Sequence, residues 1–253
     1  MQSTISAYII SLNEEENIAR AITSVSWMDE VVVLDSGSTD DTLAIARSLG
    51  AKTAVEPFAG YSTQKNRAMK LCGSEWLFNI DADEEMTAEL ADSIRKFFDS
   101  ASVGVRDCYE MTRKTWYFGR WIKHCGWYPE YRTRLSRAKS SRWTGGYLHE
   151  HLEGKTSPGR LEGDLLHRPY RDLNDHFQTI GRYSRIWAKE KASEGKRAGV
   201  VAMIVHPVGK FLKMFVLRSG FRDGVPGFMA SVMGCVYVFM KYAHLSELQR
   251  KSQ

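Results

Sequence analysis

The sequence predicts an α/β fold in which a doubly wound, mostly parallel sheet precedes a helical, basic and apolar C-terminal extension. Short apolar or β-branched runs alternate with helical patterns through residues 1–100, and polar residues follow three of these runs. Residues 181–253 combine basic and apolar residues instead. A chain of 253 residues is long enough for one large domain or for one domain with a substantial appendage. We therefore expect two parts, residues 1–170 and 171–253.

Four segments have the pattern of buried strands. The run ISAYIIS over 5–11 is almost continuously apolar, as expected of a parallel strand that is covered on both faces. The run EVVVLD over 30–35 is short and β-branched. The remaining predicted strands are 51–56 and 75–81.

Helical patterns follow each of these strands. Apolar residues recur at helical spacing in the first pattern, and the second begins with Ser and Thr, has acids in its first turn and ends at Gly50. The predicted helices are 14–25, 38–50, 61–72 and 87–98. The β-α alternation predicts a parallel sheet, whose ligands bind at the carboxyl ends of the strands.

Charge is distributed unevenly along the chain. Residues 1–100 contain 8 Lys and Arg against 17 Asp and Glu, whereas residues 181–253 contain 13 against 4. Basic residues among short apolar runs are typical of a surface that lies on an anionic membrane, although a core helix with a basic solvated face has the same composition. The four cysteines form no CxxC pair, and the N-terminus lacks a signal-peptide pattern. We expect a protein in the cytoplasm, peripheral on the inner face of the inner membrane.

The stretch FNIDADEE ends the fourth predicted strand in a cluster of acids. Asp81 and Asp83 are two residues apart, so both carboxylates can reach one site, where oxygen ligands suit Mg²⁺ or Mn²⁺. Acids that cap a helix give the same pattern. GxGxxG after the first strand and GxxxxGK[ST] are absent, so neither common phosphate-binding loop is supported.

Three segments together resemble inverting glycosyltransferase family 2, which has the GT-A fold. They are SLNEEENI, LDSGSTDDT and QKNRAMKLCGSEWLFNIDADE, over roughly residues 5–90. WYFGRWIKHCGWYPEYRTRLSR, WTGGYLHEHL and GFRDGVPGF resemble the narrower group of bacterial glycosyltransferases that extend the lipopolysaccharide inner core. The family often has Asp-Asp where this chain has Asp35-Ser36, so any role of the second acid is missing here.

The resemblance implies roles for individual residues. The nucleotide base and ribose would lie near Asn13, Glu14 and Asp35, and the metal would be held by Asp81 and Asp83. The groups near the diphosphate would be Lys65 and Arg67, although a solvated helix face explains the same two residues.

Inverting transfer requires a general base that deprotonates the acceptor hydroxyl. Glu150, in LHEH, is the predicted base, and neighbouring His149 would contact the acceptor. His167 is a further candidate for a metal or phosphate contact. Aromatic faces stack on sugars and arginines pair with phosphates, so Trp127, Arg132 and Arg134 are predicted to bind a phosphorylated acceptor.

The leading hypothesis is a metal-dependent inverting transferase that moves a hexose from a UDP-sugar to a lipid-linked lipopolysaccharide inner-core oligosaccharide. Two alternatives remain open at this point. The acceptor could be a polyprenyl phosphate or a peptide, or the protein could be a membrane module that binds nucleotide sugar without turnover. Nucleic acid is not an expected partner, because the acidic N-terminal part would repel it.

Overall fold

The computed structural model describes residues 3–100, 103, 105–145 and 150–251. Within these residues the strands are β1 Ile5–Ser11, β2 Glu30–Asp35, β3 Lys52–Val55, β4 Trp76–Asn79, β5 Glu84–Met86, β6 Cys108–Tyr117, β7 Arg120–Trp121, β8 Glu130–Arg137, β9 Arg142–Thr144, β10 His151–Glu153 and β11 Gly159–His167. The helices are α1 Ile18–Val25, α2 Thr42–Ser48, α3 Tyr61–Leu71, α4 Ala88–Phe98, α5 Leu173–Ser193, α6 Val200–Leu212 and α7 Gly224–Lys251. A π-helical segment, Lys213–Leu217, and a 3₁₀ turn, Gly220–Asp223, separate α6 from α7.

The chain divides into two compact units. The first unit contains residues 1–113 and 131–167, and the second contains residues 114–130 and 168–253. The segment 114–130 therefore groups with the C-terminal helices, a grouping that the predicted division at residue 170 does not contain. The predicted roles of the two parts, residues 1–170 for catalysis and 171–253 for membrane association, stay predictions.

The main sheet of the first unit has the strand order β3-β2-β1-β4-β8-β6-β11-β5. The strands β3, β2, β1 and β4 pair in parallel, whereas β8 is antiparallel to β4 and β5 is antiparallel to β11. The β1–β2 register places Ser11 opposite Asp35, so the polar segments after these strands begin at the same edge. This mixed α/β fold, with its parallel strands at one side of the sheet, confirms the predicted fold class.

Helices cover both faces of the parallel strands. Alternate residues of β1, such as Ile5 and Ile9, are buried in one cluster with apolar residues of α1 and α4. Tyr8, which points to the opposite face, is buried with Ala68 and Met69 of α3. This two-sided burial explains why the sequence of β1 is continuously apolar rather than alternating.

The sequence missed β5. This strand contains Glu84 and Glu85, which follow directly after the paired aspartates. Its partner is β11, with His167 opposite Glu84, so the pairing depends on residues far along the chain. A three-residue strand with a distant partner leaves no local periodicity in the sequence.

The second unit is mainly helical. β7 pairs with the end of β6, where Trp116 lies opposite Trp121. By length and composition alone, two helical stretches of this unit could cross a membrane, Val200–Leu217 and Gly220–Arg250. Close packing joins the turn to α7, since a Cβ built on Gly227 would lie 2.0 Å from the Gly220 carbonyl oxygen.

Candidate functional site

Asp35 organises the polar loop after β2. Its carboxylate accepts hydrogen bonds from the Ser11 hydroxyl at 2.8 Å and from the Gly37 and Ser38 amides at 2.8 and 2.7 Å. Burial alone would raise the pKa of Asp35, but these hydrogen bonds, with that from the Ser38 hydroxyl, bring it below its usual value. Asp35 is completely buried, and its hydrogen bonds from Ser11 and Ser38 keep it ionised as the anchor of this loop.

Asn13 and Glu14 fasten the loop after β1 to the loop after β2. Asn13 has a left-handed backbone with φ of 56°. Its backbone amide donates to the Ser38 hydroxyl at 2.8 Å, and its side-chain oxygen accepts from the Thr39 backbone amide at 2.9 Å. The Glu14 amide donates to the Thr42 hydroxyl at 2.7 Å. The direct contacts of Asn13, Glu14 and Asp35 with a nucleotide stay predictions.

Asp81 lies between two cations. Lys65 Nζ is 2.9 Å from Asp81 Oδ1, and Arg134 Nη2 donates to Asp81 Oδ2 at 2.7 Å. Burial favours a raised pKa for Asp81, but Arg134 and Lys65 hold the pKa of this carboxyl well below its usual range. Both carboxylate oxygens of Asp81 therefore have a protein partner.

Arg134 connects Asp81 to a buried polar network. Its side chain is 3% exposed, and its guanidinium also donates to Asn79 Oδ1 and, at 2.6 Å, to Glu84 Oε1. Glu84 in turn accepts from the Asp81 amide at 3.1 Å. The network holds the turn after β4 in one conformation, because breaking one of these ion pairs would leave a buried charge without a partner.

Lys65 also lies close to the predicted base. Its Nζ is 3.8 Å from Glu150 Oε1 and 4.3 Å from the centre of the Trp143 ring. The Lys65 side chain is 3% exposed, so the alternative of a solvated helix face is wrong for this residue. Asn66 holds Trp143 in place, since its side chain donates to the Trp143 carbonyl at 2.8 Å and accepts from the Trp143 amide at 2.9 Å.

These groups line a cleft of about 620 Å³ in the first unit. Acidic and basic side chains both line it, together with Trp143. The polar residues that line it include Lys65, Asp81, Arg113, Arg132, Arg134 and Glu150. Arg132 and Arg134 both line this cleft, although Arg132 is exposed and Arg134 is buried.

Asp83 pairs with His167 rather than with the cations around Asp81. Its Oδ2 is 3.2 Å from His167 Nε2, and both side chains are partly exposed. Burial acts to raise the pKa of Asp83, but the imidazole of His167 lowers it below its usual value. One carboxylate and one imidazole from neighbouring segments are donors that suit Mn²⁺ or Mg²⁺ only in part.

The structure shows how many candidate ligands for a divalent cation lie close together. No cluster of three or more His, Cys, Asp or Glu side chains suited to a metal occurs within residues 3–100, 103, 105–145 and 150–251. Asp83 and His167 supply two possible ligands, and the metal role of both stays a prediction. Asp81 faces Lys65 and Arg134 in this structure, and its predicted contacts with the metal and the nucleotide sugar stay predictions.

Other predicted residues lie elsewhere or outside the described part. Arg67 is partly exposed and its Nη1 is 3.1 Å from Glu56 Oε2. Trp127 belongs to the second unit, where it packs edge-to-face on Tyr117 at 5.3 Å. His149 lies outside the described residues. The acceptor contacts of Trp127, Arg132, Arg134 and His149 stay predictions.

Sequence reasoning missed Asn79, Glu84 and Trp143. The first two lie inside the FNIDADEE stretch, where a buried polar residue ahead of the aspartates was the available signal. For Trp143 the available signal was its partner Asn66, a polar residue in QKNRA just before the core residues Ala68 and Met69. The long-range partners of these residues are not encoded in either motif.

Comparison with known proteins identifies the family of this chain. The profile described as Glycosyl transferase family 2 matches residues 6–151, more than half of the chain. An uncharacterised glycosyltransferase of Rickettsia typhi is 32% identical over 259 aligned positions, covering 98% of this chain and 89% of the relative. The lipopolysaccharide core biosynthesis glycosyltransferase LpsC of Rhizobium meliloti is 30% identical, covering 95% of this chain and 91% of the relative.

A solved structure supports the fold. Glucosyl-3-phosphoglycerate synthase from Mycobacterium tuberculosis, crystallised with Mn²⁺, UDP and glucosyl-3-phosphoglycerate, superposes with a TM-score of 0.50. The two proteins are 19% identical, and the match covers 75% of this chain and 79% of that one. At this identity the likeness concerns the fold alone. The match of the family profile and the full-length relatives show that this chain is a glycosyltransferase that belongs to glycosyl transferase family 2.

Proposed function

We propose that the protein is a metal-dependent inverting hexosyltransferase that uses a UDP-sugar and extends a lipopolysaccharide inner-core acceptor. One observation carries the proposal: a single cleft of the first unit contains Glu150, Lys65 and Asp81, a carboxylate base candidate beside a buried cation and the paired-aspartate segment. A nucleotide-sugar donor needs cationic groups for its diphosphate and a base for the incoming hydroxyl.

Asp83 and His167 would hold the divalent cation, Mg²⁺ or Mn²⁺. When bound, the cation would neutralise charge on the departing diphosphate. Lys65 would contribute a second positive charge in the cleft, where Asp81 holds its ammonium at 2.9 Å. Arg134 would keep Asp81 in position, because its guanidinium donates to Asp81 Oδ2 at 2.7 Å.

Glu150 would accept the proton of the acceptor hydroxyl. The hydroxyl oxygen then forms the new bond to the anomeric carbon while the bond to the diphosphate breaks on the opposite face, so the configuration inverts. The Glu150 side chain is 26% exposed, which permits contact with a hydroxyl that enters the cleft. Glu150 lines the cleft, whereas the exposed Glu153 does not and pairs with His151 instead, which supports Glu150 as the carboxylate base.

The charge of the cleft and the relatives both support a lipopolysaccharide core acceptor. Arg113 and Arg132 line the cleft and suit a phosphorylated oligosaccharide. LpsC, by its name, acts in lipopolysaccharide core biosynthesis. A lipid-linked acceptor requires work at the membrane, and the basic, apolar second unit fits an anionic membrane surface on the cytoplasmic side.

A donor screen tests this function. Release of nucleoside diphosphate would be followed with UDP-hexoses, with and without a chelator, in the presence of lipid A–core, polyprenyl phosphate or a peptide. We expect release only with the core acceptor and only without the chelator. Release with another acceptor would replace the proposed substrate, and donor binding without any release would contradict catalysis.

The metal role has an independent readout. Mn²⁺ binding in the presence of UDP would be measured by electron paramagnetic resonance for Asp83→Asn, with Asp92→Asn as the control on the exposed face of α4. We expect weakened Mn²⁺ binding only for Asp83→Asn. Equal binding by the two variants would contradict the assignment of Asp83.

A further inference from the structure

The α6 helix of the second unit has an exposed apolar face. Val201 is 74% exposed and Leu217, at the end of the π-helical segment, is 77% exposed. The exposed residues recur at helical spacing, so they form one face rather than scattered positions. They are Val200, Val201, Ile204, Val205, Val208, Leu212, Val216 and Leu217. A contiguous apolar face of this length marks an interaction surface.

The charge around this face has one sign. Between Glu194 and Glu247 the chain has a single acid, Asp223, which is completely buried. The same stretch has the basic residues Lys196, Arg197, Lys210, Lys213, Arg218, Arg222 and Lys241. The complementary partner is therefore an anionic surface that also accepts apolar side chains, which is the chemistry of an anionic lipid bilayer.

The turn between α6 and α7 is tied to the segment 114–130. Asp223 accepts hydrogen bonds from the Lys123 and His124 amides at 3.1 and 2.7 Å, and its Oδ1 is 3.0 Å from His124 Nδ1. The Cys125 amide donates to the Arg218 carbonyl at 3.0 Å. This end of the helical pair is thus part of the folded second unit.

The opposite end of the pair is tied to α5. Lys241 lies 4.3 Å from the centre of the Trp187 ring, and Leu245 is buried with Ala188. The helices α6 and α7 run antiparallel, because His206 stacks on Tyr242 while Phe215 contacts Phe228. Helix α5 contains several charged residues, among them Arg182, Arg185, Lys189 and Glu190.

A membrane crossing conflicts with these attachments. If α6 and α7 spanned a bilayer, either the turn at Asp223 or the charged helix α5 would have to enter or traverse the hydrocarbon region. Charged side chains and unpaired backbone groups are costly there. Lying in the plane of the interface conflicts with neither attachment.

We propose that α6 and the π-helical segment lie in the plane of an anionic membrane, with the apolar face in the headgroup–acyl boundary and basic residues near both ends. The second unit is therefore a monotopic anchor, although two of its helical stretches are long enough to cross. This inference rests on the membrane location in the proposed function and adds the residues and the orientation.

Vesicle binding tests the surface without any donor or acceptor. The full chain would be sedimented with vesicles of phosphatidylglycerol and phosphatidylethanolamine, and with phosphatidylcholine alone. Leu212→Asp is compared with Leu71→Asp, because both leucines end a helix and are similarly exposed, at 50% and 42%. We expect binding to the anionic vesicles only, weakened at least tenfold by Leu212→Asp and unchanged by Leu71→Asp.

The in-plane orientation of α6 is tested by the depth of a tryptophan placed on its apolar face. Val208→Trp is added, and the difference in fluorescence from the parent is followed with lipids brominated near the headgroup or near the chain end. We expect stronger quenching by the shallow bromines and release of the protein by alkaline carbonate. Equal vesicle binding by the two Leu variants overturns the surface, and deep quenching with resistance to carbonate overturns the in-plane orientation.

These outcomes are separate from the proposed function. Transfer to a detergent-dispersed acceptor would measure chemistry without a bilayer. A protein that transfers sugar but ignores vesicles disproves only the anchor, and one that binds vesicles but transfers nothing disproves only the enzyme function.

Discussion

The cleft of the first unit and the helical part of the second use the same basic residue types in opposite ways. In the cleft, Lys65 and Arg134 are buried and each contacts a carboxylate. In the second unit, Arg218 and Arg222 are exposed within a stretch whose single acid is buried. Burial makes an unpaired cation costly, whereas an exposed cation without acidic neighbours stays available to an anionic partner. The environment of a cation thus indicates whether the fold holds it in one position or leaves it available at the surface.

The largest expected effect is in the cleft. Glu150→Gln removes the proposed base with little change in shape, and we expect the rate of sugar transfer to fall by about 10²–10⁴-fold. The control is Glu153→Gln, an exposed glutamate paired with His151. A steady-state assay of nucleoside diphosphate release measures both variants. Comparable rates for Glu150→Gln and the parent would exclude Glu150 as the base.

The buried network is expected to show the next largest effect. Arg134→Met leaves Asp81 and Glu84 without their shared cation, and we expect the free energy of unfolding to fall by about 3–5 kcal/mol. Arg137→Met on the same strand removes a partly exposed pair with Glu75, so its expected cost is about 0–1 kcal/mol. Urea unfolding followed by circular dichroism compares the two. Similar losses would mean that burial does not distinguish these arginines.

A buried histidine of the second unit provides a pH test. His176 is stacked on Tyr170 and contacts the Tyr117 hydroxyl at 2.8 Å, and burial lowers its pKa from 6.5 to about 4. Because the unfolded chain binds this proton more readily, the stabilisation is present above pH 6.5 and is lost as the pH falls through 4. The expected loss is about 3 kcal/mol.

Urea unfolding at pH 7, 5.5 and 4 measures this loss, with His176→Gln as the matched variant. The variant should be less stable at pH 7 but should show a smaller decline towards pH 4. The same decline in the variant and the parent would assign the pH dependence to other groups.

The smallest expected effect separates recognition from stability. Replacing both Arg218 and Arg222 by Gln should change the free energy of unfolding by less than about 0.5 kcal/mol, because both side chains are exposed. The same variant should bind anionic vesicles roughly 30-fold more weakly. Urea unfolding and sedimentation are run on one preparation. A large loss of stability would mean that these arginines stabilise the fold, as Arg134 is expected to do.

Local patterns in the sequence were sufficient for the parallel half of the sheet. The apolar run of β1 and the β-branched run of β2 both form predicted strands, and the helices between them differ from the predictions mainly at their ends. Helix α1, for example, begins at Ile18 because the residues before it form a turn closed by the Glu14 carbonyl. The bounds and partners of the antiparallel strands were not predicted, since these partners are distant along the chain.

The sequence by itself determined the β-α alternation, the acids after β4 and the basic, acid-poor C-terminal stretch, because each is written within a few neighbouring residues. Only the tertiary structure decided which cation meets which acid. Asp81 meets Arg134 across 53 residues, Asp83 meets His167, and Asp223 meets His124 across 99 residues. Such pairs depend on how strands and helices are brought together, and side-chain spacing along the chain does not encode that arrangement.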